Sequence, residues 1–424
     1  MSEELQNVFD TVQEKLGLTN HKLERHHFFR EKNHFNETIY LVSMEWFSDD
    51  SEEAENGYNP AGTAVVDINF HTSAIRRIVF VNGANSADHT LYPNAATKED
   101  VIDWIEDITG LTFGRQFLIA EEQDYKMAFR AAVDNIPVSP SGFINVEFND
   151  DGVLTLFSID GEFPNEAQIE WEPFALTPDK YEPVAKKQCH LLTFPDQEAK
   201  KWKPIYGMEE VFLTNDAART IPMTLGDGRS SFIARDKVLA WEAPLEGRFE
   251  QKEIDFSPEV TFETVRANQP HPDTLSLTED EVTASEDEVL RFMRLVYPNE
   301  NGKRRLTGLY LKDGYIAAEI KPAQDEWKNA LDIKIKLLIE RDTLTAVNYF
   351  DQDRLFEAFS HFGEAEEAVV AHEDAFNKLL GYLKVEPVYV YDSKRGKYIM
   401  CGKLDCDYGV NAVTGEVVKL NEMF

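Results

Sequence analysis

The chain has 424 residues, with 77 Asp plus Glu against 43 Lys plus Arg and a formal charge of −34. A field of that sign repels phosphate backbones and anionic lipid, which argues against nucleic-acid binding and docking on an anionic membrane. Hydrophobic residues at 42% and aromatics at 12% describe a chain that folds, and at ~100–200 residues per domain roughly two to four domains are expected.

The predicted elements begin with a helix over residues 2 to 17. Ser2 can cap it, Leu5, Val8, Phe9, Val12 and Leu16 line one face, and Gly17 stops it. A polar stretch follows with His21, His26, His27 and His34. Four histidines invite a metal, but no pair has zinc-helix spacing, so solvated histidines on a loop or helix are expected. Ile39–Phe47 reads as a strand. The acidic run 49–59 has oxygens enough for calcium but lacks the alternation and glycine of an EF-hand loop, so a solvated loop is expected. Ala64–Phe70 and Ala74–Val81 form a hairpin, with Val66, Ile68 and Phe70 alternating.

Thr97–Gly110 is a helix with Thr97 as N-cap, an apolar face of Val101, Ile102, Trp104, Ile105 and Ile108, and Gly110 as its stop. Strands follow at Phe117–Glu121, Tyr125–Ala132, 144–148 and Val153–Ile159. A poorer helix is expected over Pro183–Phe194, then strands at Ile205–Thr214 and Phe232–Trp241. Prolines at 258, 270 and 272 make residues 251–284 a linker. A second capped helix, Ser285–Tyr297 with Ser285 and Glu288 as its capping box, leads to Leu306–Leu311, Tyr315–Ile320, Leu331–Ile339 and Leu344–Phe350. A long helix over Glu364–Leu383 precedes strands at Val388–Tyr391, Lys397–Leu404, Tyr408–Ala412 and Glu416–Leu420.

The two capped helices match. Val101, Ile102, Trp104, Ile105 and Ile108 each lie 188 residues before Val289, Leu290, Phe292, Met293 and Val296 (289 − 101 = 188). Leu154-Thr155 matches Leu344-Thr345. Leu191, Leu192 and Phe194 match Leu379, Leu380 and Tyr382, and Pro204–Tyr206 matches Pro387–Tyr389. The expected fold is α+β, built of tandem units, each a helix packed on an antiparallel sheet. The blocks are an N-terminal unit (1–95), a first double unit (96–250), a linker (251–284) and a second double unit (285–424).

The last hairpin reads Tyr408-Gly409-Val410-Asn411-Ala412-Val413-Thr414-Gly415-Glu416-Val417. It resembles the "V-D-A-x-T-G-E-V" turn of PepSY-type domains, with Asn411 in place of Asp. The Pro-x-Tyr strands beside it resemble the YcdB/YcdC repeat family of Firmicute bacteria, over roughly residues 97–424. In the first copy, Ala234–Val238 stands where Ala412–Val417 would align, without the Thr-Gly. The resemblance implies a PepSY- or cystatin-like build and a module that binds or restrains a partner, including peptidases. Relatives are usually cell-envelope proteins.

No nucleophile elbow, zinc-protease motif or phosphate loop occurs, and Gly226-Asp227-Gly228 reads as a turn. His190 and His372 are candidate general bases, each read as a polar helix position. Lys200-Lys201-Trp202-Lys203 is a short basic turn. The three cysteines, Cys189, Cys401 and Cys406, are too few for a disulfide framework and read as structural thiols. The N-terminus has no export signal, and no run of about 18 apolar residues exists, so a soluble cytoplasmic protein without membrane insertion is expected. The expectation is a non-enzymatic binding or inhibitory module for a protein or peptide partner, with no catalytic, cofactor or metal residues. The alternative is a hydrolase with a carboxylate- or histidine-based site between the copies.

Overall fold

The computed structural model describes residues 2–49, 58–93, 97–223, 232–256, 258–323, 334–352, 359 and 361–422. The fold is α+β, mostly antiparallel sheet with few helices. By contacts the chain forms two units. Met1–Trp171, Ser257–His271 and Val388–Ile399 make unit 1; Glu172–Phe256, Pro272–Pro387 and Met400–Phe424 make unit 2. The division follows contacts rather than the tandem blocks expected from sequence. Most of the acidic run 49–59, the triplet 226–228 and residues 331–333 lie outside the described residues.

Unit 1 opens with α1 (Glu3–Lys15), whose first free N–H groups include that of Leu5, bonded to Ser2 Oγ at 3.3 Å. Its buried face is Leu5, Phe9 and Val12, and each such burial stabilises by about 1.5–3 kcal/mol. An antiparallel meander follows: β1 (His21–Lys32), β2 (Thr38–Ser48), β3 (Ala64–Asn69) and β4 (Ile75–Phe80). The stretch expected as loop or helix is thus a twelve-residue strand paired with β2 along its length. An apolar neighbour supplies pairing that the polar sequence does not advertise.

Next come α2 (Lys98–Thr109), β5 (Phe117–Gln123), β6 (Lys126–Val133), β7 (Ile136–Ser139), β8 (Phe143–Phe148) and β9 (Leu154–Asp160). The pairing β5-β6-β8-β9 is again a meander, and β9 joins β4 through Ile78↔Phe157. Val101 and Ile105 are buried in one core with Phe9, Val42, Ile68, Phe129 and Phe157. Gly110 ends α2 at φ 73°, while the Thr97 side chain makes no capping bond. Trp104 is half-buried, and its indole N–H donates to Leu91 O at 3.0 Å.

Unit 2 holds α3 (Pro178–Gln188), β10 (Cys189–Asp196), β11 (Lys201–Met208), β12 (Val211–Thr214), β13 (Thr220–Pro222) and β14 (Ile233–Val238). The helix begins five residues before the expected Pro183, and Cys189 onward is strand. The segment expected as linker is structured. Val260 and Val265, the latter in α4 (Phe262–Arg266), are buried in the unit 1 core.

In unit 2, α5 (Glu279–Val296) precedes the meander β15 (Arg304–Lys312), β16 (Tyr315–Pro322), β17 (Ile335–Glu340) and β18 (Thr345–Asp351), with β14 at its edge. The true capping box is Thr278 with Glu281. Ser285 and Glu288 are interior and buried. Glu288 accepts the Ala346 N–H at 2.7 Å and pairs with Arg291 at 2.6 Å. A capping pattern and a buried anchor share one spacing, since three residues is also one helical turn. Phe292 is fully buried beneath Phe249 and Tyr349.

The remaining elements are α6 (His372–Leu379), β19 (Lys384–Asp392), β20 (Lys397–Asp405), β21 (Tyr408–Asn411) and β22 (Val417–Lys419). Of the helix expected over Glu364–Leu383, His372–Leu379 is α-helical, extended by one tight turn over Leu380–Tyr382. Here two helix-plus-four-strand segments exchange hairpins. β11 pairs with β21 (Ile205↔Asn411, Tyr206↔Val410), and β12 pairs with β20 (Leu213↔Gly402, Thr214↔Cys401). The two second hairpins close alike: Thr214 N–H bonds Arg219 O, and Asn411 N–H bonds Glu416 O.

Corresponding positions therefore lie 196 apart in the inner strands (401 − 205) and 197 apart in the closing hairpins (411 − 214). The matches read at 188 and 183 fail here. Leu191 is on a strand and Leu379 on a helix; Pro204 is on the second strand after its helix and Pro387 on the first. Short apolar runs look alike on helices and strands. The partner of 408–419 is 211–222, and Ala234–Val238 is instead the sheet-edge strand β14.

Candidate functional site

Unit 2 contains an open groove of about 630 Å³ lined by Pro183, Lys186 and Lys187 of α3, Cys189, His190 and Leu191 of β10, Tyr206 of β11, and His372 of α6. Both histidines singled out in the sequence meet here. His190 is on a strand rather than a helix, and His372 is the first residue of α6. The His372 Nε2 lies 3.0 Å from Cys189 O. A carbonyl only accepts, so that nitrogen carries the proton. His190 Nε2 stands 3.6 Å from a Glu209 carboxylate oxygen. The Tyr206 hydroxyl donates to Val370 O at 3.1 Å. Lys186 pairs with Glu373, joining α3 to α6, while Lys187 has no ion pair among the described residues.

Burial pushes the Cys189 thiol up to about 11, with Cys406 adding to the shift, and burial also raises Cys406. A thiol held protonated at neutral pH is a poor nucleophile. Cys401 is buried too. The groove thus offers hydrogen-bond donors and cationic charge around an apolar floor. Lys186, Lys187 and Tyr206 carry no motif; the signal that could have found them is their position on strands and helices that only long-range pairing brings together.

A second polar cluster sits within unit 1. Arg76 is the extra residue where the β3–β4 register slips between Asp67 and Ile68, and bulges re-aim a side chain. Burial raises the Glu162 carboxyl, opposed by Arg76 and assisted by Glu37. Burial likewise raises Glu31, opposed by Arg76, with Asp160 and Asp67 adding to the rise. Glu31 keeps an exposed side chain, so the half-buried Glu162 is the more perturbed environment. Tyr398 is fully buried against Tyr391 and Phe35, and its hydroxyl has no hydrogen-bond partner among the described residues.

The histidines of the N-terminal stretch do not converge. His21 is buried near Gly62 O at 3.3 Å, His26 lies against Phe9 at 5.0 Å, and His27 lies beside Phe29. Burial lowers His21, His26 and His34. Among the described residues, no three His, Cys, Asp or Glu side chains are grouped to hold a metal. In the basic turn, Lys201 pairs with Glu366, Lys203 pairs with Asp196 at 2.5 Å, and Trp202 lies 5.7 Å from Phe359. No helix among the described residues is long and apolar enough to cross a membrane.

No family model matches the chain, and no curated protein matches it. Among solved structures it is similar to the "Bacillus megaterium YpeB C-terminal domain", at 9% identity and a TM-score of 0.24, over 83% of this chain and 97% of that one. A score that low carries no argument about function.

Proposed function

We propose that the chain is a non-enzymatic, PepSY-like binding or regulatory module that holds a protein or peptide partner in the α3–β10–α6 groove. The observation that carries this reading is the groove itself, with an apolar floor of Pro183, Leu191 and Tyr206 and polar groups converging on it. The polar groups are spent on the scaffold. His372 bonds a carbonyl, Tyr206 bonds a carbonyl, and the adjoining thiol is buried and protonated. Catalysis by histidine would need a nucleophile or water aligned with the ring and an orienting partner behind it. Of the alternative, only the His190–Glu209 pair has a catalytic look, and Glu209 stands at the exposed rim.

Selection of binders from a displayed random-peptide library tests the reading. Selected peptides should slow hydrogen exchange in β10 and at the start of α6, and be recovered intact after long incubation. Peptides that map elsewhere, or no enrichment over the starting library, would overturn it. Cleavage that disappears in His190→Gln or His372→Gln would establish the hydrolase instead.

A further inference from the structure

The exchanged hairpins give the groove an internal control. The fold builds the same helix–strand junction twice, so residues demanded by the fold should recur at the corresponding positions. They do not. The first residue of α6 is His372, and the first of α3 is Pro178. Tyr206 corresponds to Gly402, and at the same offset His190 corresponds to Glu386 and Cys189 to Val385. Lys186 and Lys187 correspond to positions within Leu380–Leu383, none of which is charged, whichever offset from 194 (372 − 178) to 196 is used. One side thus carries two lysines, two histidines and a tyrosine. The other carries proline, glycine, valine, one glutamate and the uncharged stretch Leu380–Leu383, which includes Tyr382. A last-turn lysine does complement a helix dipole, but Lys378 alone fills that place in α6.

We infer that the groove takes a carboxylate-bearing peptide segment, one acidic side chain or chain terminus flanked by apolar residues. This rests on the binding reading above and adds the ligand's chemistry. The chain's charge of −34 makes a cluster of cations an exception that its composition does not explain. The charged and titratable groups facing the groove are Lys186, Lys187, His190 and His372, with Glu373 and Glu209 on the rim. Glu373 holds Lys186 and Glu209 faces His190, so Lys187 is the ammonium left to meet a carboxylate. Leu191 and Pro183, both exposed, take the apolar neighbours of the acid. The rim carboxylates repel a densely charged polyanion, which restricts the site to a sparse acidic motif.

The test is fluorescence anisotropy on the full chain with two C-terminally amidated decapeptides of Leu and Gln bearing an uncharged fluorophore, one with a single central Glu and its counterpart with Gln in that place. The Glu peptide should bind about tenfold more tightly and weaken as salt rises. Lys187→Glu should remove that preference, and Lys187→Gln should halve it on a logarithmic scale. Lys187 is exposed, and an unchanged circular dichroism spectrum would certify folding. Equal affinity for the two peptides overturns the carboxylate preference but leaves the binding reading standing. Binding insensitive to both Lys187 variants overturns the groove as the site. Displacement by equimolar inorganic phosphate overturns a peptide ligand in favour of a free anion. Failure of both peptides to bind at millimolar concentration overturns the inference together with the binding reading of this groove.

Discussion

On one side of the exchanged hairpins, Tyr206 lays a buried ring beside His372 and reaches Val370 O; on the other, Gly402 lets Leu176 settle directly on the strand backbone. The strap before each helix is anchored in step. Asn215 N–H bonds Met400 O, and Ala412 N–H bonds Pro204 O. From there the two sides diverge. Asn215 spends its side-chain amide on the strap, accepting from Ala175 N–H at 2.7 Å and donating to Pro173 O at 2.9 Å. Ala412 has only its carbonyl to offer, and takes the Val369 and Val370 N–H groups at 2.9 Å. One side is sealed by packing and amide bonds. The other keeps a polar hollow that packing alone would have filled, which is why the hollow is read as a binding site.

Removing the ring should be the most damaging way to break this contrast. Tyr206→Gly deletes a buried side chain and is expected to destabilise unit 2 by about 3–5 kcal/mol. The reverse change, Gly402→Ala, places a Cβ 2.6 Å from Leu176 Cδ1 and 3.1 Å from Val385 Cγ1. Overpacking of that kind costs about 1–3 kcal/mol. Urea unfolding followed by circular dichroism reads both. A Gly402→Ala protein as stable as the parent would show that the sealed side is looser than described.

Asn215→Ala comes next. It strands the Ala175 N–H and releases the strap, at about 1–3 kcal/mol. Asn411→Ala sharpens the comparison, because Asn411 only caps its own turn, accepting from Val413 and Thr414 N–H groups. About 1 kcal/mol or less is expected there. Equal losses for the two asparagines would erase the asymmetry.

The sequence carried this region only in part. Gly415, at φ 75°, and the Asn411 turn are local features, and local chemistry made that hairpin legible. Gly110 at the end of α2 was legible for the same reason. The hairpin exchange was not, because it is set by which strand pairs across some 200 residues, and no local pattern encodes a partner. The apolar period aligned Leu191 with Leu379, a strand with a helix, since three or four leucines fit either. His190 and His372 were visible as chemistry-bearing residues. Their meeting in one groove, and the company of Lys187 and Tyr206, needed the exchange. In α5 the spacing of Ser285 and Glu288 fits a capping box, yet both lie inside the helix past the true cap at Thr278, because burial, not spacing, separates a cap from an anchor.

A smaller effect separates Cys189 from its counterpart Val385. Burial holds the thiol near 11, so at pH 8 alkylation by iodoacetamide should be slower than in the unfolded chain by a hundredfold or more. The same shift makes stability pH-dependent. The folded state binds its proton more tightly than the unfolded chain, so the contribution is intact below about pH 9 and is lost as pH rises towards 11. Cys189→Val should flatten that decline without changing stability at pH 7 by more than about 1 kcal/mol, as a near-isosteric change. Rapid alkylation of native Cys189 would mean that the groove floor opens to solvent.

The smallest expected effect is the ion pair between Lys186 and Glu373, which links α3 to α6 on the groove side. Both side chains are substantially exposed, so a double-mutant cycle of Lys186→Ala and Glu373→Ala should give a coupling of about 0.5 kcal/mol or less, fading in molar salt. The pair matters more for charge than for stability. While it holds, Glu373 neutralises Lys186 and leaves Lys187 to carry the groove's field. Glu373→Gln frees Lys186, and should therefore tighten binding of the Glu peptide severalfold while leaving the urea midpoint unchanged. Lys186→Gln should do the opposite, leaving Glu373 to oppose the incoming carboxylate. If both substitutions move affinity in the same direction, the pair acts as a mechanical clasp between the helices, and charge has no part in selecting what enters between them.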